Sequence, residues 1–257
     1  MGRILVTGSA DRLGLKAARR LVQRGHTVYL HARNEKRALD TKSACPGAAG
    51  VLTADLSNLA KTLQLAKEAN AIGNFNAIIH NAGMLDGPFR KTPDTGIASV
   101  NVLAPYVLSC LMRPPKRIVY IASCWDTESS FRLVEDVFRF RRGEAGFRDF
   151  PAYCDSKFHV MLLANAVARR FKNTTVSSVH PGWVATKPGG QGAPDSLEDG
   201  VATYVMLAEG CDAPNQPGRY FDPKKKVGTP LPATADVQLQ EKLVKACEDV
   251  TGLTLPI

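Results

Sequence analysis

Thr7-Gly8-Ser9-Ala10-Asp11-Arg12-Leu13-Gly14 stands between an apolar run, Arg3–Thr7, and a segment, Leu13–Arg24, whose residues Leu13, Ala17, Leu21 and Val22 share one helical face. A short apolar run, a glycine turn and an amphipathic helix, in that order, open a strand-to-helix crossover. Gly25 stands where that helix must end. The alternation continues along the chain. Strands are predicted at Arg3–Thr7, His26–Ala32, Gly50–Ala54, Asn76–Asn81, Lys116–Ala122, Thr174–His180 and Gly218–Phe221, and further helices at Leu59–Ile72, Thr95–Met112 and Pro151–Phe171.

Apolar strands separated by helical segments imply a parallel sheet covered on both faces. The expected fold is α/β, a single Rossmann-like doubly wound domain over residues 1–257, with seven parallel strands in the order 3-2-1-4-5-6-7. At 257 residues, 44% hydrophobic and 22% charged, the chain can bury one sizeable core. No apolar stretch approaches the roughly 18 residues of a membrane span. No leader pattern precedes the first strand, so a cytoplasmic location is expected. Cys45, Cys110, Cys124, Cys154, Cys211 and Cys247 are widely spaced and read as reduced thiols, not as a zinc site or disulfide framework. His26, His31, His80, His159 and His180 are not at metal-ligand spacing and read as structural. The net charge of +9 comes from dispersed Lys and Arg, without a series of stacking aromatics, which argues against nucleic acid. A small anionic ligand is the better partner for the excess.

Glycines at a strand-to-helix turn let the backbone approach a ligand, and the helix N-terminus beyond offers unpaired N–H groups to a pyrophosphate. Gly8, Ser9, Arg12, Leu13 and Gly14 are therefore candidate contacts, although a tight connection would also use two glycines. Asp55 and Leu56 follow the third strand, where an acid can bond an adenine amine. Asn81, Ala82 and Gly83 follow the fourth, where small residues leave a thin wall beside a ribose. The second strand ends in Leu30-His31-Ala32-Arg33-Asn34, without the carboxylate that would bind the ribose hydroxyls of NAD. Arg33, with Arg12, instead offers cations to a 2′-phosphate. NADP(H) is the preferred cofactor on this reading, with NAD(H) left open.

Tyr153 and Lys157 are one helical turn apart and share a face. A neighbouring ammonium favours phenolate, and in the reductive direction the phenol gives its proton to the oxygen of the reduced group. Ser123 closes the fifth strand and can hold a carbonyl oxygen toward that phenol.

Thr7-Gly8 with Gly14, Asp55, Asn81-Ala82-Gly83, Asn101, Ser123, Tyr153 with Lys157, and Pro181-Gly182 through Thr186 make the chain similar, over nearly its whole length, to the short-chain dehydrogenase/reductase family. The resemblance implies that Asn101 holds a water of a proton relay and that Lys157 also bonds the nicotinamide ribose. It further implies that Pro181, Gly182, Val184 and Thr186 contact the nicotinamide carboxamide and a neighbouring phosphate. Two departures stand out. Neither position of the family's middle glycine is kept, Asp11 and Arg12 standing there; the short chain and Asn81-Ala82-Gly83 favour the compact form. Ser123 and Tyr153 are also farther apart than that form has them, and the insertion near residues 125–150 resembles the retinol-dehydrogenase-like branch. Phe131, Val134 and Phe138 lie in it at helical spacing.

The function expected is an NADP(H)-dependent oxidoreductase interconverting a ketone or aldehyde with an alcohol, Tyr153 serving as acid and base. A non-catalytic nucleotide-sensing protein is the alternative, and a sugar-nucleotide epimerase or dehydratase a weaker one. Met84, Leu85, Phe89 and Trp183, on loops 84–93 and 183–195, suggest a small, moderately apolar substrate. Met112-Arg113-Pro114-Pro115 cuts the fourth main helix short, which leaves a homo-oligomer through that helix open.

Overall fold

The structure is a computed structural model, and it describes residues 1–85, 96–123, 149–184, 192–210 and 219–256. Seven parallel strands run through the core: β1 (Arg3–Val6), β2 (Thr27–Ala32), β3 (Gly50–Thr53), β4 (Ala77–His80), β5 (Arg117–Ile121), β6 (Thr175–Val179) and β7 (Tyr220–Asp222). The sequence suggests seven strands, but an eighth, β8 (Lys226–Val227), pairs antiparallel with β7, giving the order 3-2-1-4-5-6-7-8. Two exposed residues show no apolar periodicity, so only the return of the chain at Lys224 and Lys225, both at positive φ, creates this edge strand.

The apolar runs are unbroken because the inner strands are covered on both faces. In β1, Ile4 and Val6 pack with Ala17 and Leu21 of α1 (Arg12–Gln23) and with Val201 and Tyr204 of α6 (Leu197–Glu209). Leu5 points the other way, into a cluster with Leu65 and Ala69 of α3 (Leu59–Ile72). Alternating side chains thus feed opposite layers. α4 (Ala104–Leu111), α5 (Asp149–Arg170) and α7 (Val237–Thr251) complete that second layer, with α7 laying Leu243, Val244 and Cys247 among the α5 residues Phe158, Leu162 and Val167.

Three helices carry no expectation from the sequence. In α2 (Glu35–Ala44) only Ala38 and Thr41 are buried, too few to make a stripe. α6 and α7 are amphipathic but follow loops that obscure their starts. The helix predicted over 95–112 is helical over residues 97–111, but it contains a π-helical turn, Ser99–Leu103, ahead of α4, which stops at Leu111 where Met112 turns extended ahead of Pro114 and Pro115. No helix among the described residues is long and apolar enough to cross a membrane.

The chain winds outward from β1 through β2 to β3, then returns to place β4 against the other side of β1. Strand order reverses there, and the crevice at the carboxyl ends of β1 and β4 is where open α/β sheets hold ligands.

Candidate active site

Two turns interlock in that crevice. Gly8 has φ +60°, and a Cβ on it would stand 2.7 Å from the Ala82 Cα. A Cβ on Gly14 would stand 2.4 Å from Asn81 Nδ2 and 2.6 Å from the Gly8 carbonyl oxygen. Both positions therefore require glycine, the first for conformation and contact, the second for contact alone. Asn81 Nδ2 donates to the carbonyls of Thr7 and Gly8, each at 3.0 Å, and the Ala82 N–H donates to Thr7 Oγ1 at 3.0 Å. Gly8, Gly14, Asn81 and Ala82 are thus brought together, as the sequence suggests.

The start of α1 is open. Side chains of Asn34, Asn58, Ser196 and Asp236 cap α2, α3, α6 and α7, but none caps α1, whose preceding Asp11 ion-pairs with Arg37 instead. Unpaired N–H groups and the positive end of a helix dipole favour an anion. Arg12, where the family has glycine in its compact form, adopts φ +42°. The backbone keeps the glycine-like shape despite the side chain. Arg12→Gly is accordingly expected to raise unfolding free energy by about 1 kcal/mol; a urea titration showing no gain would mean that contacts of the arginine offset the strain.

Arg33 is exposed just past β2, and no carboxylate pairs with it among the described residues. Asp55 follows β3 with its Oδ1 held by the Ser57 N–H (3.0 Å) and hydroxyl (2.7 Å), while Leu56 is buried. Arg33 and Asp55 therefore lie beyond neighbouring strand ends on the β2–β3 side of the crevice.

On the β5 side, Ser123 is buried two residues past the end of β5. α5 carries Tyr153, half-buried, and Lys157, buried, with the ammonium 5.5 Å from the phenol ring centroid. Lys157 Nζ donates to the Ile121 carbonyl at 2.7 Å, which ties α5 to the end of β5 beside Ser123. Burial pushes Lys157 down to about 8. Asn101 comes from the π-helical turn, a departure from α geometry often found at functional positions. Its Oδ1 accepts the Met84 N–H at 2.9 Å, and its Nδ2 donates to the Met84 carbonyl (3.0 Å) and to Ser156 Oγ (2.9 Å). Ser156 in turn donates to the Tyr153 carbonyl at 2.7 Å. Gly83 lies over both groups: a Cβ built there is 3.5 Å from Asn101 Oδ1 and 3.5 Å from Lys157 Nζ.

Past β6, Gly182 has φ +92° and its N–H meets His180 Nδ1 at 3.3 Å. Asp195 closes the base of the following loop, its carboxylate accepting the Trp183 N–H at 2.5 Å and its own N–H donating to the Trp183 carbonyl at 2.9 Å. Val184 bridges to Asp195 and is buried. Pro181 is tied from below, since a Cβ on Gly200 would meet its carbonyl oxygen at 2.5 Å. Thr186, the insertion predicted near residues 125–150 apart from its last two residues, and most of the loops 84–93 and 183–195 lie outside the described residues.

Sequence reasoning missed Ser156 and Asp195. Ser156 is adjacent to Lys157 and visible by position; Asp195 acts on Trp183, twelve positions earlier, and no local signal marks it.

The profile described as short chain dehydrogenase matches residues 3–125. The short-chain dehydrogenase chyC of Penicillium rubens is 63% identical over 259 residues, covering 100% of both chains. A crystal structure of a protein from Mycobacterium paratuberculosis superposes with a TM-score of 0.82 at 22% identity, covering 100% of this chain and 96% of that one. A short-chain dehydrogenase from Escherichia coli CFT073, solved in complex with NADPH, has a TM-score of 0.63 at 23% identity over 86% of this chain and 95% of that one. A glycine turn at the sheet's switch point, a tyrosine and lysine on one turn of α5 and full-length identity to a named relative agree: the chain belongs to the short-chain dehydrogenase/reductase family, whose members use NAD(P), and is an oxidoreductase acting on CH–OH groups.

Proposed function

We propose that the protein interconverts a ketone or aldehyde with an alcohol, using NADP(H) in preference to NAD(H), and that Tyr153 moves the proton. The observation that carries this reading is the meeting of two constructions on one sheet edge. One is the Gly8–Gly14 cradle, which a Cβ would fill, with the uncapped start of α1; the other is the Tyr153–Lys157 pair. These residues fit a dinucleotide. Arg12, Leu13 and Gly14 would hold the pyrophosphate, Asp55 the adenine amine through its second oxygen, and Arg33 with Arg12 a 2′-phosphate. When bound, the nicotinamide cofactor supplies or accepts the hydride.

The chain's own residues supply placement and proton transfer. Ser123 holds the substrate oxygen toward the phenol of Tyr153, which donates its proton to that oxygen in reduction and accepts it in oxidation. The Lys157 ammonium, fixed by the Ile121 carbonyl, favours the phenolate left behind. The carboxamide N–H groups of Asn101 are both engaged, so a relay water bonds Asn101 by donating to an oxygen. The NADPH held by the Escherichia coli structure supports the choice of cofactor, as do the exposed Arg33 and the missing acid at the end of β2.

The test is a panel of ketones and aldehydes assayed in parallel with NADPH and NADH by loss of reduced-cofactor absorbance. Arg33→Asp is expected to weaken NADPH on the order of a hundredfold and leave NADH within about threefold, because repulsion replaces attraction only where a 2′-phosphate is present. Equal losses for both cofactors would remove Arg33 from the role.

A further inference from the structure

We infer that His31 is a positioning residue for the cofactor: its imidazole brackets the Gly8 turn against β2 and β3 and sets the shape in which that turn receives a dinucleotide. The inference rests on the dinucleotide reading of the turn given above.

His31 is buried on β2, two residues before Arg33. Five hydrogen bonds tie it to the turns after β1 and β3, among them one from the Ser9 hydroxyl to its carbonyl at 3.4 Å. The Gly8 N–H donates to its Nδ1 at 3.0 Å, and its Nε2 lies 3.0 Å from the Ala54 carbonyl oxygen. Its backbone N–H donates to Ser9 Oγ at 2.8 Å, and its carbonyl accepts the Ser9 N–H at 3.1 Å. An amide N–H can only donate and a carbonyl only accept, so Nδ1 must be the bare nitrogen and Nε2 must carry the hydrogen. One tautomer alone serves both sides. The ring is therefore a directional link between the turn after β1 and the turn after β3, where Asp55 follows Ala54.

Geometry makes that link consequential. From the β4 side the turn is held by Asn81 through the carbonyls of Thr7 and Gly8; the Gly8 and Ser9 N–H groups are held from the β2 side by His31. With those two donors engaged, a phosphate would be met farther along, toward the start of α1, where the Asp11 side chain makes no capping bond. Loss of the Nδ1 acceptor would leave the Gly8 N–H without its partner in the closed crevice, and the turn would rotate to satisfy it. His31 then acts on affinity through Gly8 without touching substrate or the reacting atoms.

Two substitutions separate the halves of the bracket. His31→Asn keeps an acceptor at the δ position and loses the reach to Ala54; His31→Gln keeps a donor at the ε position and loses the acceptor for Gly8. In the full-length protein, His31→Gln is expected to raise the NADPH Kd about tenfold and His31→Asn less than about threefold. In both, kcat at saturating NADPH stays within about twofold of the unsubstituted protein. Equal Kd increases in the two variants, or a loss in kcat without one in Kd, would overturn the assignment, since a residue needed only for stability cannot tell the nitrogens apart. Nitrogen-15 NMR of the unsubstituted protein gives a readout independent of whether the variants fold: it should show His31 protonated at Nε2 and the Gly8 amide hydrogen-bonded to Nδ1. The opposite tautomer overturns the proposal. If the unsubstituted protein binds neither NADPH nor NADH, the cofactor reading has failed, and His31 as a cofactor-positioning residue falls with it. If it binds and the two variants do not diverge, only the His31 inference has failed.

Discussion

Tyr153→Phe is expected to lower kcat by about a thousandfold or more while leaving the NADPH Kd within about threefold. The substitution removes one oxygen and keeps the ring on the half-buried face of α5. Lys157 stays where it is, because its anchor is the Ile121 carbonyl at 2.7 Å and not the phenol. Asn101 and Ser156 are likewise held by Met84 and by the Tyr153 backbone, neither of which the change touches. The proton donor is lost and its surroundings are preserved. Steady-state turnover with a substrate found by the panel, together with cofactor binding followed by fluorescence, measures both quantities. A variant that retains more than about a tenth of the turnover would move the acid to another group.

A steep loss of stability below neutral pH is the second large effect. Burial holds His31 at about 4, His80 at about 3 and His159 at about 3, so all three are neutral in the fold at pH 7. Above the ordinary histidine value near 6.5 the folded and unfolded chains are both neutral at these sites, and no dependence arises. As pH falls through 6.5 the unfolded chain takes up three protons that the fold refuses, and unfolding becomes progressively easier until the folded values are reached. Each such proton removes about 1.4 kcal/mol per pH unit, so three together remove about 4 kcal/mol per unit once the unfolded sites are fully charged. A fold worth about 5–15 kcal/mol is exhausted within a few units.

His80 offers the clean control. Both of its ring nitrogens are buried without a hydrogen-bond partner, and the ring stacks on Tyr120 with centroids 4.9 Å apart at 26°. His80→Phe keeps an aromatic ring in place and removes both polar nitrogens, so it should raise stability at pH 7 by about 1 kcal/mol or more and reduce the slope below pH 6 by about one proton. Urea titrations at pH 7, 6 and 5 read both effects. An unchanged slope would mean that His80 takes up its proton in the folded state.

Much of this architecture was legible residue by residue. Arg3–Thr7 and Asn76–Asn81 read as strands because covering both faces demands unbroken apolar runs, and Gly8 and Gly14 announced a turn where a backbone must come close. Tyr153 and Lys157 share a face by helical geometry whatever lies around them. Other features left no trace. α2 buries too little to show a period, β8 is two exposed residues, and the π-helical turn that carries Asn101 reads as ordinary helix because periodicity tolerates one residue out of step. His31 read as a structural histidine: the expected order put β2 beside β1, but nothing in Leu30-His31-Ala32 reveals that the imidazole turns toward the Gly8 N–H.

By itself the sequence determined which groups the chain brings to its chemistry: a phenol beside an ammonium, a glycine turn ahead of a helix, an arginine where NAD would want an acid. Those are properties of local order, set by covalent spacing and by the periods of helix and strand. The tertiary structure alone decided how the groups are held: Lys157 by the Ile121 carbonyl, Asn101 by Met84 and Ser156, and Gly8 by His31. Such bonds join segments tens of residues apart, and only the return of the chain from β3 to β4 closes the crevice in which a donor on one strand finds its acceptor on another.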